Sequence, residues 1–286
     1  MDKTIEGWVC GLCGMVIFSL SLPATRAALA GFDPFYLTMA RAALAGFTGV
    51  ALLMAFRQPI PSRGDMPALA IIALGVVLGF PLLSALALRH INAAQSQIFI
   101  ALLPLATATF GVIRAGERPH LGFWLFAGLG SVCVISVALK HNNHISALGA
   151  AFMLGAVAIC GLGYAEGGKL ARRMGGWQVI CWALVLALPF TSLLSWIGRP
   201  VSFCTITDSA WLGLFYVSLF SMLIGFVFWY RGLALGGITT VGQLQLLQPG
   251  LGLLASALLL HETVPPITII AMFGVMICVF GAKKFA

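Results

Sequence analysis

The sequence predicts an all-α integral membrane protein of ten transmembrane helices, built as two five-helix repeats of opposite orientation. Three observations predict it. Of 286 residues, 60% are hydrophobic and 8% charged, against roughly 25% charged in a soluble domain. The apolar residues gather into ten runs of about 17 to 25 residues, the length that crosses a bilayer core. One pattern is also written twice, five runs apart.

The runs cover residues 7-30, 34-56, 67-88, 93-113, 120-139, 145-166, 176-197, 209-230, 238-260 and 265-282. Proline marks their edges. Pro34, Pro59, Pro61, Pro67, Pro119, Pro200, Pro265 and Pro266 fall in linkers or first turns, where no amide donor is needed. Pro23, Pro81, Pro104, Pro189 and Pro249 fall inside runs, where each removes a backbone hydrogen bond and is expected to kink its helix. Lipid tolerates that only where the freed carbonyls meet protein or a wet cavity. Glycine, at 33 residues, exceeds the usual share of about 7%, and the pairs Gly75 and Gly79, Ala151 and Gly155, and Gly163 and Gly167 predict close helix contacts. The first run ends in Ala28-Leu29-Ala30, which could mark a cleaved leader, but Asp2 and Glu6 beside Lys3 argue against one. It is retained as the first helix.

Lysine and arginine set the orientation. Lys3, Arg57, Arg63, Arg114, Arg118, Lys169, Arg172, Arg173, Arg231, Lys283 and Lys284 lie on the side of the N-terminus, against Arg26, Arg89, Lys140 and Arg199 opposite. Both termini are expected in the cytoplasm, at the inner membrane.

The repeated pattern is LLPLATATFGVIRAGE at 102–117 and LLQPGLGLLASALLLHE at 246–262, with thirteen residues from proline to glutamate in each copy (104 to 117, 249 to 262). Ala87-Leu88-Arg89-His90-Ile91 precedes the first copy and Ala234-Leu235-Gly236-Gly237-Ile238 the second. An odd number of spans separates them, so the copies face opposite ways. The halves divide as 1-140 and 141-286. Glu117 and Glu262 each stand just ahead of a proline-started helix, where a carboxylate meets the positive end of the helix dipole.

Span pairs written A-L-x-x-I, then L-L-P or L-L-x-P, then G-E or H-E and a proline-started helix resemble the drug/metabolite transporter superfamily, specifically its ten-helix EamA-type members. Pro34-Phe35-Tyr36-Leu37 followed by Arg41 is similar to that family's second helix, and Phe228-Trp229-Tyr230-Arg231-Gly232-Leu233-Ala234-Leu235 to its eighth. Within the family the chain most resembles bacterial amino-acid exporters, aromatic ones included. The resemblance implies a secondary transporter that exports amino acids by alternating access, with other small metabolites or drugs as the alternative cargo. It also implies a central cavity walled by both halves, with spans five and ten peripheral. Two positions depart from the repeat: span seven opens with Trp177-Gln178 where the first half carries Arg41, and span four opens with Gln95 and Gln97.

Polar groups at membrane depth are the candidates for that cavity. Arg41 either attracts a carboxylate or snorkels to the interface about 10 Å away along seven residues of helix. Gln243, Gln245 and Gln248 around Pro249, and Gln95 and Gln97 before Pro104, either meet a zwitterion or bond between helices. Phe80, Pro81 and Ser84 lie deeper and are candidates for an apolar pocket with one hydroxyl. Tyr164, Trp177, Trp229 and Tyr230 lie near expected span ends, where an interfacial belt competes with a cavity wall.

Several other chemistries lack their residues. The basic residues form no stripe or motif for nucleic acid. Cys10 and Cys13 sit in an apolar run with no second ligand pair, and His141 and His144 share a linker, so neither pair predicts a metal or redox site. No nucleophile and base converge for an intramembrane enzyme, and no charged ring marks a channel. No cofactor is expected; the partners are a small-molecule substrate and membrane lipid. All eight acidic residues are expected in loops or at span ends, which predicts gradient-driven movement, or coupling through an edge group such as Glu166.

Overall fold

The computed structural model describes residues 2–91, 93–140, 146–248, 250–252 and 266–285, and every described element is helical. Helix α1 (Lys3–Ser19) starts at Asp2, whose carboxylate accepts from the Thr4 amide, and passes through Leu20 into α2 (Ser21–Ala28). The interruption falls where Pro23 has no amide to give the Ser19 carbonyl. Helix α3 (Pro34–Ala55) is capped by Asp33, with proline in its first turn. Helix α4 (Met66–Ala87) widens to π-helical over Ala73–Gly79, immediately ahead of Pro81. The fourth run is two helices, α5 (Ala93–Ile100) and α6 (Leu103–Ala115), broken just before Pro104.

Helix α7 (Leu121–Lys140) is followed in the second half by α8 (Ala147–Met174), which the Ser146 side chain caps. Helix α9 (Gly176–Ile197) runs through Pro189 without interruption, so of the five internal prolines Pro23, Pro81 and Pro104 lie at irregularities and Pro189 does not. Helix α10 (Asp208–Gly236) is π-helical over Tyr216–Gly225. Gly237, at φ +90°, turns the chain into α11 (Ile238–Gly242), which tightens into a 3-10 turn over Gln243–Leu247. Helix α12 (Pro266–Phe285) closes the chain. Pro249, Glu262, His141 and His144 lie outside the described residues.

Among the described residues, six helical segments are long and apolar enough to cross a membrane: Lys3–Ala28, Pro34–Ala55, Met66–Ala87, Ala147–Met174, Gly176–Ile197 and Asp208–Gly236. Two end later than their apolar runs. The eighth helix reaches Met174 instead of residue 166, and the tenth reaches Gly236 instead of residue 230. Both run on because the added turns are buried against protein, with Leu170, Ala171 and Leu233 almost fully enclosed. Phe47, Met54, Phe190, Trp196, Leu212 and Phe280 remain more than half exposed, the apolar surface that lipid covers. Lys283 Nζ stands 4.4 Å from the Trp8 ring, and the His120 amide donates to the Phe285 carbonyl at 2.9 Å, so the two chain ends meet on one face.

The most extensive packing joins α4 to α8, α1 to α10 and α3 to α9, followed by α7 to α12 and α6 to α8. Burial of apolar surface drives little of this in lipid, and close backbone approach replaces it. At the α4–α8 crossing a Cβ on Gly75 would stand 2.7 Å from the Ile159 carbonyl oxygen and 3.4 Å from Gly163 Cα. A carbonyl in a helix cannot swing aside. Gly75→Leu is expected to destabilise by about 1–3 kcal/mol, read as a lower Tm in detergent. Gly128→Leu, where an added Cβ meets nothing within 4 Å, should leave Tm nearly unchanged.

Candidate functional site

Beyond the Pro23 interruption, α2 carries Ser21 and Thr25 four residues apart on one face. They border a cavity with Arg41 of α3, Phe80, Pro81 and Ser84 of α4, and Ser221 from the π-helical part of α10. Phe18, Tyr164 and Phe226 supply its aromatic wall, and Gln248 an amide. About 30 Å³ is open to the centre of a water, room for about two waters. That is too little for an amino acid, so binding cargo requires the walls to move apart.

Arg41 lies seven residues inside α3, yet it is 7% exposed and does not reach for the membrane edge. Its Nη2 donates to Ser221 Oγ at 3.4 Å, and Ser221 Oγ also accepts from the Ser21 hydroxyl at 2.8 Å. Among the described residues Arg41 Nε has no partner, and no carboxylate pairs with the guanidinium. The surrounding polar groups are neutral. The Ser84 hydroxyl donates to the Pro81 carbonyl, the Thr25 hydroxyl to the Ser21 carbonyl, and Gln248 Nε2 to the Phe18 carbonyl at 3.3 Å.

The cavity thus brings together Arg41, Phe80, Ser84, Tyr164 and Gln248 of the sequence candidates, with Pro81. Tyr230 is fully buried behind it, its hydroxyl donating to the Gly163 carbonyl at 3.3 Å. Trp177 stands against Phe56 with ring centroids 5.5 Å apart, away from the cavity lining. Tyr164, Trp229 and Tyr230 form no interfacial belt: each is at most 5% exposed, because the two helices that carry them continue past the expected ends. Gln243 is fully enclosed, and neither amide atom has a partner among the described residues. Gln245 bonds between helices, its Nε2 donating to Thr107 Oγ1 at 3.3 Å. Gln95 is buried in α5, and the Gln97 side chain lies outside what is described.

Ser21, Thr25, Ser221, Phe18 and Phe226 were not among the candidates. Two signals point to the three hydroxyls and none to the two rings: hydroxyls flanking Pro23, and Ser218 with Ser221 deep in an apolar run, where polar groups are costly.

The face that holds both termini is closed by charge. Arg114 pairs with Glu166, Arg172 with Glu117, Arg173 with Asp65, and Arg231 with Glu6. Each pair joins a residue before 141 to one after it. The remaining pair among the described residues, Arg89 with Asp33, lies on the opposite face and within the first half. Glu166 is inside α8 and 3% exposed, which corrects its expected place at a span end. Glu117 is corrected too. Its carboxylate does not cap the helix that follows Pro119; it accepts from the amides of Ile238 at 2.9 Å and Thr239 at 2.7 Å, at the start of α11. Gly237, at positive φ, aims those amides at it.

An apolar helical bundle around a small, partly open cavity with a buried arginine is an architecture that suits a membrane transporter. The chain belongs to the EamA-like transporter family, whose model matches residues 5–139 and again residues 147–282. It is 55% identical over 286 residues, the full length of both chains, to the protein of Bacillus subtilis (strain 168) named "Uncharacterized transporter YdeK". At 25% identity over 265 residues, 90% of this chain and 86% of the other, it resembles the "Probable terminal-alkyne amino-acid exporter" of Streptantibioticus cattleyicolor. One crystal structure shares the fold at TM-score 0.80 and 18% identity, covering 98% of this chain and 99% of that one.

Burial would push the Glu117 carboxyl up, but the Ile238 and Thr239 amides, the Thr239 side chain and Arg172 outweigh it and hold the group below the usual carboxylate range. A depressed folded pKa contributes stability that is complete above the unfolded value, about 4.3 for Glu, and is lost as pH falls through the folded one. Glu117→Gln should therefore unfold about 1–3 kcal/mol more readily at pH 7. It should also lose part of the wild-type decline in stability below about pH 4.3. Thermal unfolding in detergent between pH 7 and 3 measures both.

Proposed function

We propose that the chain is a ten-helix secondary transporter that exports amino acids, aromatic or hydrophobic ones foremost, across the bacterial inner membrane by alternating access. Arg41 carries this reading. A cation enclosed among neutral groups at membrane depth is unfavourable unless an anion comes to it, and the carboxylate of an amino acid is such an anion. The aromatic wall of Phe18, Phe80, Tyr164 and Phe226 suits an apolar side chain. A distant relative bears the name of an amino-acid exporter. The absence of a carboxylate from the described cavity wall favours movement down a gradient over proton coupling.

Four features support two inverted halves, 1-140 and 141-286, as the moving parts. The family model matches twice. Packing of α1 on α10 has its counterpart in α8 on α4, and the corresponding spans α3 and α9, and α7 and α12, pair directly. The π-helical segments fall in the third and eighth spans. The fourth and ninth both lose regular helix shortly before Pro104 and Pro249. With the termini in the cytoplasm, the four cross-half ion pairs form the inner gate, and rocking of the halves must break them.

The test is counterflow in proteoliposomes with a panel of radiolabelled amino acids, nucleosides and drug-like cations. Uptake of phenylalanine, tryptophan or leucine above protein-free liposomes is expected; uptake confined to nucleosides or cations would overturn the cargo assignment. Arg41→Gln is expected to raise the KM for the amino acid by roughly tenfold to 100-fold, equivalent to losing a charged hydrogen bond of about 1.5–3 kcal/mol.

A further inference from the structure

Among the described residues, the cavity wall has a charged partner for a carboxylate and none for an ammonium. Arg41 is the one formal charge in the described wall. Of the seven described acidic residues, Glu6, Asp33, Asp65, Glu117 and Glu166 are held in ion pairs at the two faces. Asp2 caps α1, and Asp208 lies in the first turn of α10. Glu262 lies outside the described residues. What the wall offers an amine is neutral: the hydroxyl oxygens of Ser84 and Thr25, whose protons are already given to carbonyls, and the Gln248 amide oxygen. A hydroxyl donates to such acceptors as well as an ammonium can. An ammonium that arrives without a carboxylate adds a second buried positive charge beside Arg41, and like charges in a desolvated space repel strongly.

Building on the assignment of the cargo carboxylate to Arg41, we infer that the site reads that carboxylate and not the amine. Its substrate class is small monocarboxylates with an apolar or aromatic body. The protein carries 2-hydroxy acids alongside the 2-amino acids of the same side chain, and it excludes amines that lack the carboxylate. Net charge from zero to minus one passes; net positive charge does not.

Phenylalanine, phenyllactate and phenethylamine keep one aromatic body while removing first the ammonium and then the carboxylate. In proteoliposomes of the full chain, unlabelled phenyllactate should inhibit phenylalanine counterflow within about tenfold of phenylalanine itself. Phenethylamine should inhibit about 100-fold more weakly or not at all. Radiolabelled phenyllactate should itself accumulate by counterflow. In detergent, phenyllactate and phenylalanine should both raise Tm, and phenethylamine should not. Arg41→Gln should erase the discrimination by weakening the acids and relieving the charge repulsion against the amine; the wild-type comparison stands alone if that variant fails to fold. Failure of phenyllactate to compete, or inhibition by phenethylamine comparable to phenylalanine, overturns the inference while leaving amino-acid export intact. If no amino acid in the panel shows counterflow, the cargo assignment falls, and this inference falls with it.

Discussion

A guanidinium enclosed by apolar helices is among the most unfavourable groups a membrane protein can hold, and this one has no carboxylate beside it among the described residues. Ser221 and Ser21 soften the cost with one long hydrogen bond and a second hydroxyl behind it, but they cannot neutralise the charge. Only an anion can do that, while water can at most solvate it, and the cavity between the helices is where either would sit. The other charges show the contrary solution. At the face holding the termini, Glu117 has two amides and an arginine, and Glu6, Asp65 and Glu166 each have an arginine. Charges that fasten the fold are compensated within the protein, and the charge that faces the cavity has no such partner among the described residues.

Irregular backbone gathers around the same space. The α1–α2 interruption, the π-helical turns of α4 and α10 and the 3-10 turn after α11 all lie in helices that border the cavity or abut it. In lipid a backbone group that loses its helical partner must find another inside the protein, so such breaks belong in the interior. They also re-aim side chains. Ser221 reaches Arg41 from within a π-helical stretch, whose residues follow a different angular spacing from the 3.6-residue helix on either side.

Much of the candidate site was legible because of that same cost. Arg41, Ser84 and Gln248 stand out in apolar runs, and each borders the cavity. Tyr164 stands out too, but near an expected span end a belt competes with a cavity wall, since hydropathy ends its helix at residue 166 while tertiary burial carries it to Met174. Gln243 and Gln245 carry the same sequence signal as Gln248, yet the 3-10 turn directs them elsewhere. Ser21 and Ser221 escaped notice because their meaning lies in each other, 200 residues apart.

The sequence by itself determined the environment and the helical class: few charges, long apolar runs and a doubled motif leave a chain little alternative to helices in lipid, where every amide must be bonded locally. It also marked the arginine whose burial needs a reason. The tertiary structure decided which groups surround that arginine, and it gave Glu117 to the amides of Ile238 and Thr239 instead of to the helix beside it. Those pairings join segments more than a hundred residues apart, and no local periodicity encodes a contact whose geometry depends on how two halves meet.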